Sequence, residues 1–159
     1  MGLDMYLKAE KYIPLYDFNG NKKVVDICSD IVNLSELSSL IDPESFGITV
    51  RVTVAHWRKA NQIHYWFVNN AQDGIDDCKS YYVSKDQLEH LLKICTDILG
   101  HLDKATAKTL LPTIEGFFFG SGDYDECYFD DLRSTVDQLT RILNNPANEM
   151  VDFYYQSSW

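Results

Sequence analysis

Apolar and polar residues alternate at the start of the chain. Leu3, Met5 and Leu7 fall on one side and Asp4, Tyr6 and Lys8 on the other, which predicts a strand over residues 2–13 that Pro14 ends. Asn19-Gly20-Asn21 is a hairpin-type turn signal, with Lys22–Ile27 as its second arm. Apolar residues at 31, 34, 37, 40 and 41 predict a short helix within Ser29–Ile41, stopped by Pro43. Ile48, Val50, Val52 and Val54 alternate with Thr49, Arg51 and Thr53, the pattern of a strand with one buried face. A helix over His56–Asn70 follows, with Ala60, Ile63, Phe67 and Ala71 as its inward stripe. Arg58, Lys59, Gln62, Tyr65 and Asn69 point away from that stripe, and Trp57, Asn61 and His64 lie on an intermediate flank. Asp73-Gly74 reads as a turn.

Tyr81–Val83 reads as a short strand. Ser84 and Gln87 form a capping box ahead of a helix whose core stripe is Leu88, Leu91, Leu92, Cys95, Ile98, Leu99 and Leu102, with Gly100 near its end. Residues 105–115 give no single reading. Gly116–Gly120 reads as a short apolar strand, and Asp123 with Glu126 as the capping box of a last long helix. Phe129, Leu132, Val136, Leu139 and Leu143 form that helix's buried stripe, Asn144-Asn145-Pro146 ends it, and Val151–Gln156 is a final strand. Hairpin-like connections between interspersed strands and helices predict an α+β fold. It is a single domain over 1–159, with a small mixed or mainly antiparallel sheet packed by about three longer helices.

Composition narrows the function classes. Aromatic residues make up 13% of the chain, enough for a ring-rich core, a ring-lined site, or both. A net charge of −10 argues against nonspecific binding to nucleic acid or to an anionic membrane, both of which need a basic surface. It leaves room for a small anionic ligand held by a local Arg/Lys cluster, and it suits contact with a basic protein. Four Cys at 28, 78, 95 and 127 show no Cys-x-x-Cys spacing, so neither a zinc ribbon nor a thioredoxin-like motif is indicated. Met1–Met5 lacks a basic segment leading into an apolar run, and no stretch reaches 18 apolar residues. Neither a secretory leader nor a membrane span is expected, and a reducing cytoplasm is the default location. Gly2 followed by Tyr6 misses the myristoylation pattern.

The candidate chemistry concentrates in residues 56–67, which combine two Trp, two His, Arg, Lys and Asn. Arg58 and Lys59 form an anion-binding pair, or else ride a solvated helix face. Trp57, Tyr81, Tyr82 and Tyr155 are candidates to stack on a flat ring, Asn61 and Gln72 to read its polar edge, and His64 to orient it. His64 with Asp76, Asp77 and Cys78 has the residue types of a metal set but matches no recognised spacing, so no metal and no cofactor are expected. Cys78 with His64 lacks an identifiable oxyanion site, and Ser121 lacks the Gly-x-Ser-x-Gly context, so no catalytic residue is assigned. Asp123, Asp125, Glu126, Asp130 and Asp131 crowd a helix start, either as dipole-favoured capping or as an acidic face for a basic partner. Trp159, next to a strand, is expected to pack against the body or a second subunit.

The segments Met1–Leu7, Trp57–Asn61, Ile63-His64, Trp66–Val68, Gln72–Gly74, Asp76–Cys78, Tyr81–Val83, Gly116–Ser121, Tyr124–Glu126 and Asp152–Trp159 resemble a family of small proteins common in bacteriophages and prophage regions. The resemblance covers most of the chain apart from roughly residues 14–47. Members sometimes bear a kinase-like label, but this chain has neither a Gly-x-x-x-x-Gly-Lys phosphate loop nor a glycine-rich kinase loop. The resemblance implies a phage setting, in which small acidic proteins often act on host defence or metabolism. The expected function is a non-enzymatic protein that sequesters a small anionic, nucleotide-like ligand in the host cytoplasm to counter host defence. The alternatives are an acidic inhibitor of a host or defence protein, and a small nucleotide-acting hydrolase or transferase with His64 and Asp76 or Asp77 as acid and base. A homodimer is left open.

Overall fold

A computed structural model describes residues 2–14, 47–117 and 119–159. The hairpin expected over 19–27 and the helix expected within 29–41 lie outside the described residues. The chain divides into two compact units, residues 1–9 with 52–159 and residues 10–51. In the second unit the described residues are 10–14 and 47–51, where Arg51 pairs with Glu10.

The architecture is α+β, with a four-stranded antiparallel sheet. Its strands are β1 (Asp4–Pro14), β2 (Gly47–Arg58), β3 (Tyr81–Val83) and β4 (Asp152–Ser158), in the order β2-β1-β4-β3. The helices are α1 (Asn61–Ala71), α2 (Lys85–His101), α3 (Lys104–Leu110) and α4 (Glu126–Leu143), and Pro146–Met150 forms a 3-10 turn. Leu3, just before β1, and the odd positions Met5, Leu7 and Ala9 within it are buried, and in β4 Phe153, Tyr155 and Ser157 are. Both runs show the period of two that a half-buried sheet requires. β4 pairs with β3 so that Tyr155 lies opposite Tyr81 and Phe153 opposite Val83.

The first unit's helices close its core. Leu88, Leu91, Cys95 and Ile98 form the buried face of α2, and Phe129, Leu132, Thr135, Leu139 and Ile142 that of α4. The two helices pack chiefly on each other. Ser84 and Gln87 make the expected capping box, whereas Leu102, expected in the core, is exposed. It takes the left-handed cap conformation (φ 49°) that ends α2 and lies beyond the helix's buried stripe. The ambiguous 105–115 region contains α3, capped by Asp103.

Expectations about the start of α1, the buried face of β2 and residues 116–120 require correction. The helix expected from His56 starts at Asn61, because the strand continues through Arg58 and Lys59 turns the chain with φ 59°. The buried positions at the end of β2 are Ala55 and Trp57, not the valines. Val50 and Val52 are exposed and Val54 is half-buried. Gly116, Phe117, Phe119 and Gly120 lie in turns and loop, not in the expected strand, with Phe117 almost wholly exposed.

Side chains of α4 cap the backbone of β2. Gln138 Oε1 accepts from the His56 N–H (2.9 Å), and its Nε2 donates to the His56 carbonyl (3.2 Å). Arg141 Nη2 donates to the Val54 carbonyl (2.7 Å). These bonds satisfy backbone groups that an edge strand otherwise leaves to solvent.

Candidate functional site

α1 is buried on nearly every side, including the polar residues Asn61, Gln62 and His64. Buried polar groups must find partners, and those partners show what the helix organises. Asn61 holds a loop. Its Nδ2 donates to the carbonyls of Phe119 (3.2 Å) and Ser121 (2.7 Å), and its Oδ1 accepts from the Ile114 N–H (3.1 Å). The same loop is tied by Thr113 N–H to the Tyr124 hydroxyl (3.0 Å) and by the Tyr128 hydroxyl to the Leu111 carbonyl (2.9 Å).

His64, fully buried, lies between the Tyr155 hydroxyl (2.8 Å from Nδ1) and Asp76 Oδ2 (3.0 Å from Nε2). A carboxylate only accepts, so in a neutral imidazole Nε2 carries the proton and Nδ1 accepts from Tyr155. Tyr155 stacks on Phe67 at 4.0 Å between centroids, and burial raises its hydroxyl pKa well above the ordinary value. Trp159 donates from Nε1 to the other Asp76 oxygen (3.2 Å) and meets Phe119 edge to face.

The expected stacking site is not assembled. Trp57 is buried, with Nε1 donating to Thr135 Oγ1 (2.9 Å) and its ring against Phe67. Tyr155 is fully buried. Tyr82 is exposed and packs edge-on to Tyr154, and the Tyr81 hydroxyl donates to Asp77. Gln72 is buried and donates to the Ile75 carbonyl. Asn61 and His64 are committed as described, so neither reaches a ligand from an intermediate flank. Trp57, Tyr155, Asn61, His64 and Gln72 went inward because each fills core volume while finding a polar partner. His64 and Tyr155 have no exposed surface, so the Tyr155–His64–Asp76 series ties β4, α1 and the segment after α1 together and reaches solvent only at Asp76. Among the described residues no group of three or more His, Cys, Asp or Glu is arranged to hold a metal ion, and no helix is long and apolar enough to cross a membrane.

Arg58 and Lys59 are brought together elsewhere. They line a cleft of about 300 Å³ with Gln62, Gly120, Ser121, Asp123, Asp125, Cys127, Tyr128 and Asp131. Its walls are the corner after β2, the loop that Asn61 pins, and the first turns of α4. The corner is fixed by the Lys59 N–H donating to the Leu3 carbonyl (2.8 Å). Gly120 (φ 91°) approaches so closely that a Cβ there would lie 2.9 Å from the Lys59 carbonyl oxygen, so this wall requires glycine. Asp125 caps α4 by accepting from the Tyr128 N–H, two residues later than the expected Asp123 cap. Asp123 instead accepts from the Ser121 hydroxyl (3.2 Å).

The cleft carries both signs of charge. Arg58 is largely exposed, with Asp4 at 4.0 Å, and Lys59 is exposed, its side chain making no hydrogen bond or ion pair among the described residues. Asp131 accepts from Gln62 Nε2 (3.0 Å), and burial raises its carboxyl pKa above the ordinary 3.8. Glu126 and Asp130 both pair with Arg133, so the acidic face expected over 123–131 is partly neutralised. Gln62, expected to point outward, is buried because Asp131 needs its amide. Asp131, Gly120 and Cys127 were not assigned to a site from sequence, since the carboxylate run reads as capping and the contact of residues 120–131 with residue 59 is long-range.

The raised Asp131 pKa has a definite sign. The folded state binds more proton than the unfolded chain as pH rises through the interval from 3.8 up to the raised folded value. Stability therefore falls over that interval. Asp131→Asn is expected to be stabilising at pH 7 relative to its effect at pH 3, as urea melts at the two pH values would show. An equal effect at both would mean that Asp131 titrates alike in the two states.

No protein-family model, curated protein or solved structure matches the chain.

Proposed function

We propose that this is a non-enzymatic binding protein whose cleft holds a small anionic ligand. Arg58 and Lys59 receive the anion. Ligand hydroxyl or amino groups donate to the oxygens that Asp123 and Asp131 do not already use. A nucleotide-like molecule has this combination, with a phosphate for the cations and donors on its sugar and base. The observation that carries the reading is the placement of two exposed cations, one of them unpaired among the described residues, on a cleft that reaches the volume of small-molecule sites. The phage setting and action against host defence belong to the same proposal and rest on the sequence resemblance.

Native mass spectrometry of protein purified from its host, repeated after denaturation, tests this. A mass that departs on denaturation, and that Arg58→Ala loses, is expected. The Arg58→Ala melting temperature should stay close to wild type, because an exposed pair at 4.0 Å contributes at most about 1 kcal/mol. Ligand retained by Arg58→Ala, or bare wild-type protein, would overturn the reading.

A further inference from the structure

We propose that a groove between the sheet and the end of α4 is a second binding site, and that it takes a small apolar amino acid acylated on its nitrogen and free at its carboxylate. Val52, Val54, Ile142, Val151 and Phe153 supply the apolar lining, and Arg141 and Asn148 stand among them. All of these residues belong to the first unit. The groove holds about 210 Å³. An apolar cavity of roughly 150 Å³ accepts a benzene ring, so one branched or aromatic side chain fits here. Val52 is exposed although it lines the groove, and covering it with such a side chain removes apolar surface from water.

Asn148 sets what the polar end of the ligand must offer. The residue is buried, its N–H donates to the Asn145 carbonyl (3.0 Å), and its Nδ2 donates to the Leu143 carbonyl. Leu143 is not part of the groove wall, so the amide turns Oδ1 the other way, toward the groove. That buried oxygen has no hydrogen-bond partner among the described residues. It only accepts, and a buried acceptor without a donor costs free energy, which a ligand N–H relieves. Arg141 supplies charge. It donates to the Val54 carbonyl and makes no ion pair among the described residues. A guanidinium has five N–H donors, enough to keep that bond and still fork onto a carboxylate. No carboxylate lines the groove among the described residues, although the chain carries a net charge of −10. The local field therefore favours an anion, whereas the Arg58 cleft carries both signs. An N-acyl amino acid bears the apolar side chain, the N–H and the carboxylate on a single carbon. A fatty acid lacks the donor, and a free amino acid would bring an ammonium group toward Arg141.

The test is a titration of methyl-labelled protein with N-acetyl-L-leucine, read by NMR at the methyl groups of Val52, Val54, Ile142 and Val151. Saturable shifts are expected there. N-acetyl-L-leucine amide, which lacks the charge, should bind at least about tenfold more weakly, and so should 2-acetoxy-4-methylpentanoic acid, in which an ester oxygen replaces the N–H. Arg141→Gln, which keeps an amide donor for the Val54 carbonyl, should bind acid and amide alike. Arg58→Ala should bind N-acetyl-L-leucine as wild type does, which separates this site from the cleft. No saturable shift at the groove methyls, equal affinity for the acid and either analogue, or discrimination retained by Arg141→Gln would overturn the inference. A leucine-ending tetrapeptide that binds more than about tenfold tighter would overturn it in favour of a peptide terminus. Methyl shifts that follow protein dilution without ligand would overturn it in favour of a second copy of the chain.

Discussion

Replacing His64 by alanine is expected to lower the unfolding free energy by about 3–5 kcal/mol, a large part of the roughly 5–15 kcal/mol typical of a domain. Two costs combine. The imidazole is fully buried, and truncating a buried side chain of that size leaves a cavity costing about 2–4 kcal/mol. The Tyr155 hydroxyl, itself buried, loses its partner, which costs about 1–3 kcal/mol, and the terms add incompletely. Asp76 is less affected because it is partly exposed and keeps Trp159. Tyr155→Phe removes only the hydroxyl and keeps the stack on Phe67, so its loss should be about 1–2 kcal/mol. Urea unfolding of the two variants measures both. A His64→Ala loss below about 1 kcal/mol would show that the site relaxes and that His64 is not the link described.

Asn61→Leu is expected to have the second large effect, of a different kind. The change keeps the branched four-heavy-atom outline of the side chain but strips three hydrogen bonds from the loop, leaving two carbonyls and one N–H without their partner. The cost is about 2–4 kcal/mol if the loop stays in place, and less if it swings out to water. Either way Gly120 and Ser121 no longer form a fixed wall of the cleft. Hydrogen exchange should rise sharply at Ile114 and across 119–122 while the α2 amides keep their protection, and ligand retention should fall with it. Unchanged exchange in that loop would mean that Thr113 and Tyr128 hold it without Asn61.

The two substitutions mark what the sequence conveys and what it hides. Elements whose signals are local were legible: β1 from its alternation, α2 from the Ser84–Gln87 box and its leucine stripe, and β4 from its terminal run. The start of α1 was not. Residues 56–60 fit either period, and the deciding feature is the left-handed Lys59, whose corner is held by a bond to Leu3 far back in the chain. Periodicity also assumes that a helix has an outer face, whereas α1 lies within the first unit's core and buries its amides against distant partners. For the site, adjacent cations at 58 and 59 were visible as a pair. Their cleft was not, because its other wall is supplied from 61–73 residues away by a glycine, a carboxylate and a cysteine that look ordinary in isolation.

The capping of β2 by α4 has a consequence in time. The bonding groups of Gln138 and Arg141 stand 82 and 87 residues after the backbone they cover. At roughly 5–20 residues per second, a ribosome delivers them on the order of ten seconds after the strand itself. Throughout that interval the nascent chain carries the Val54–His56 edge uncovered, so the moment of greatest vulnerability to wrong pairing comes during synthesis and closes only when the second-last element of the fold is made.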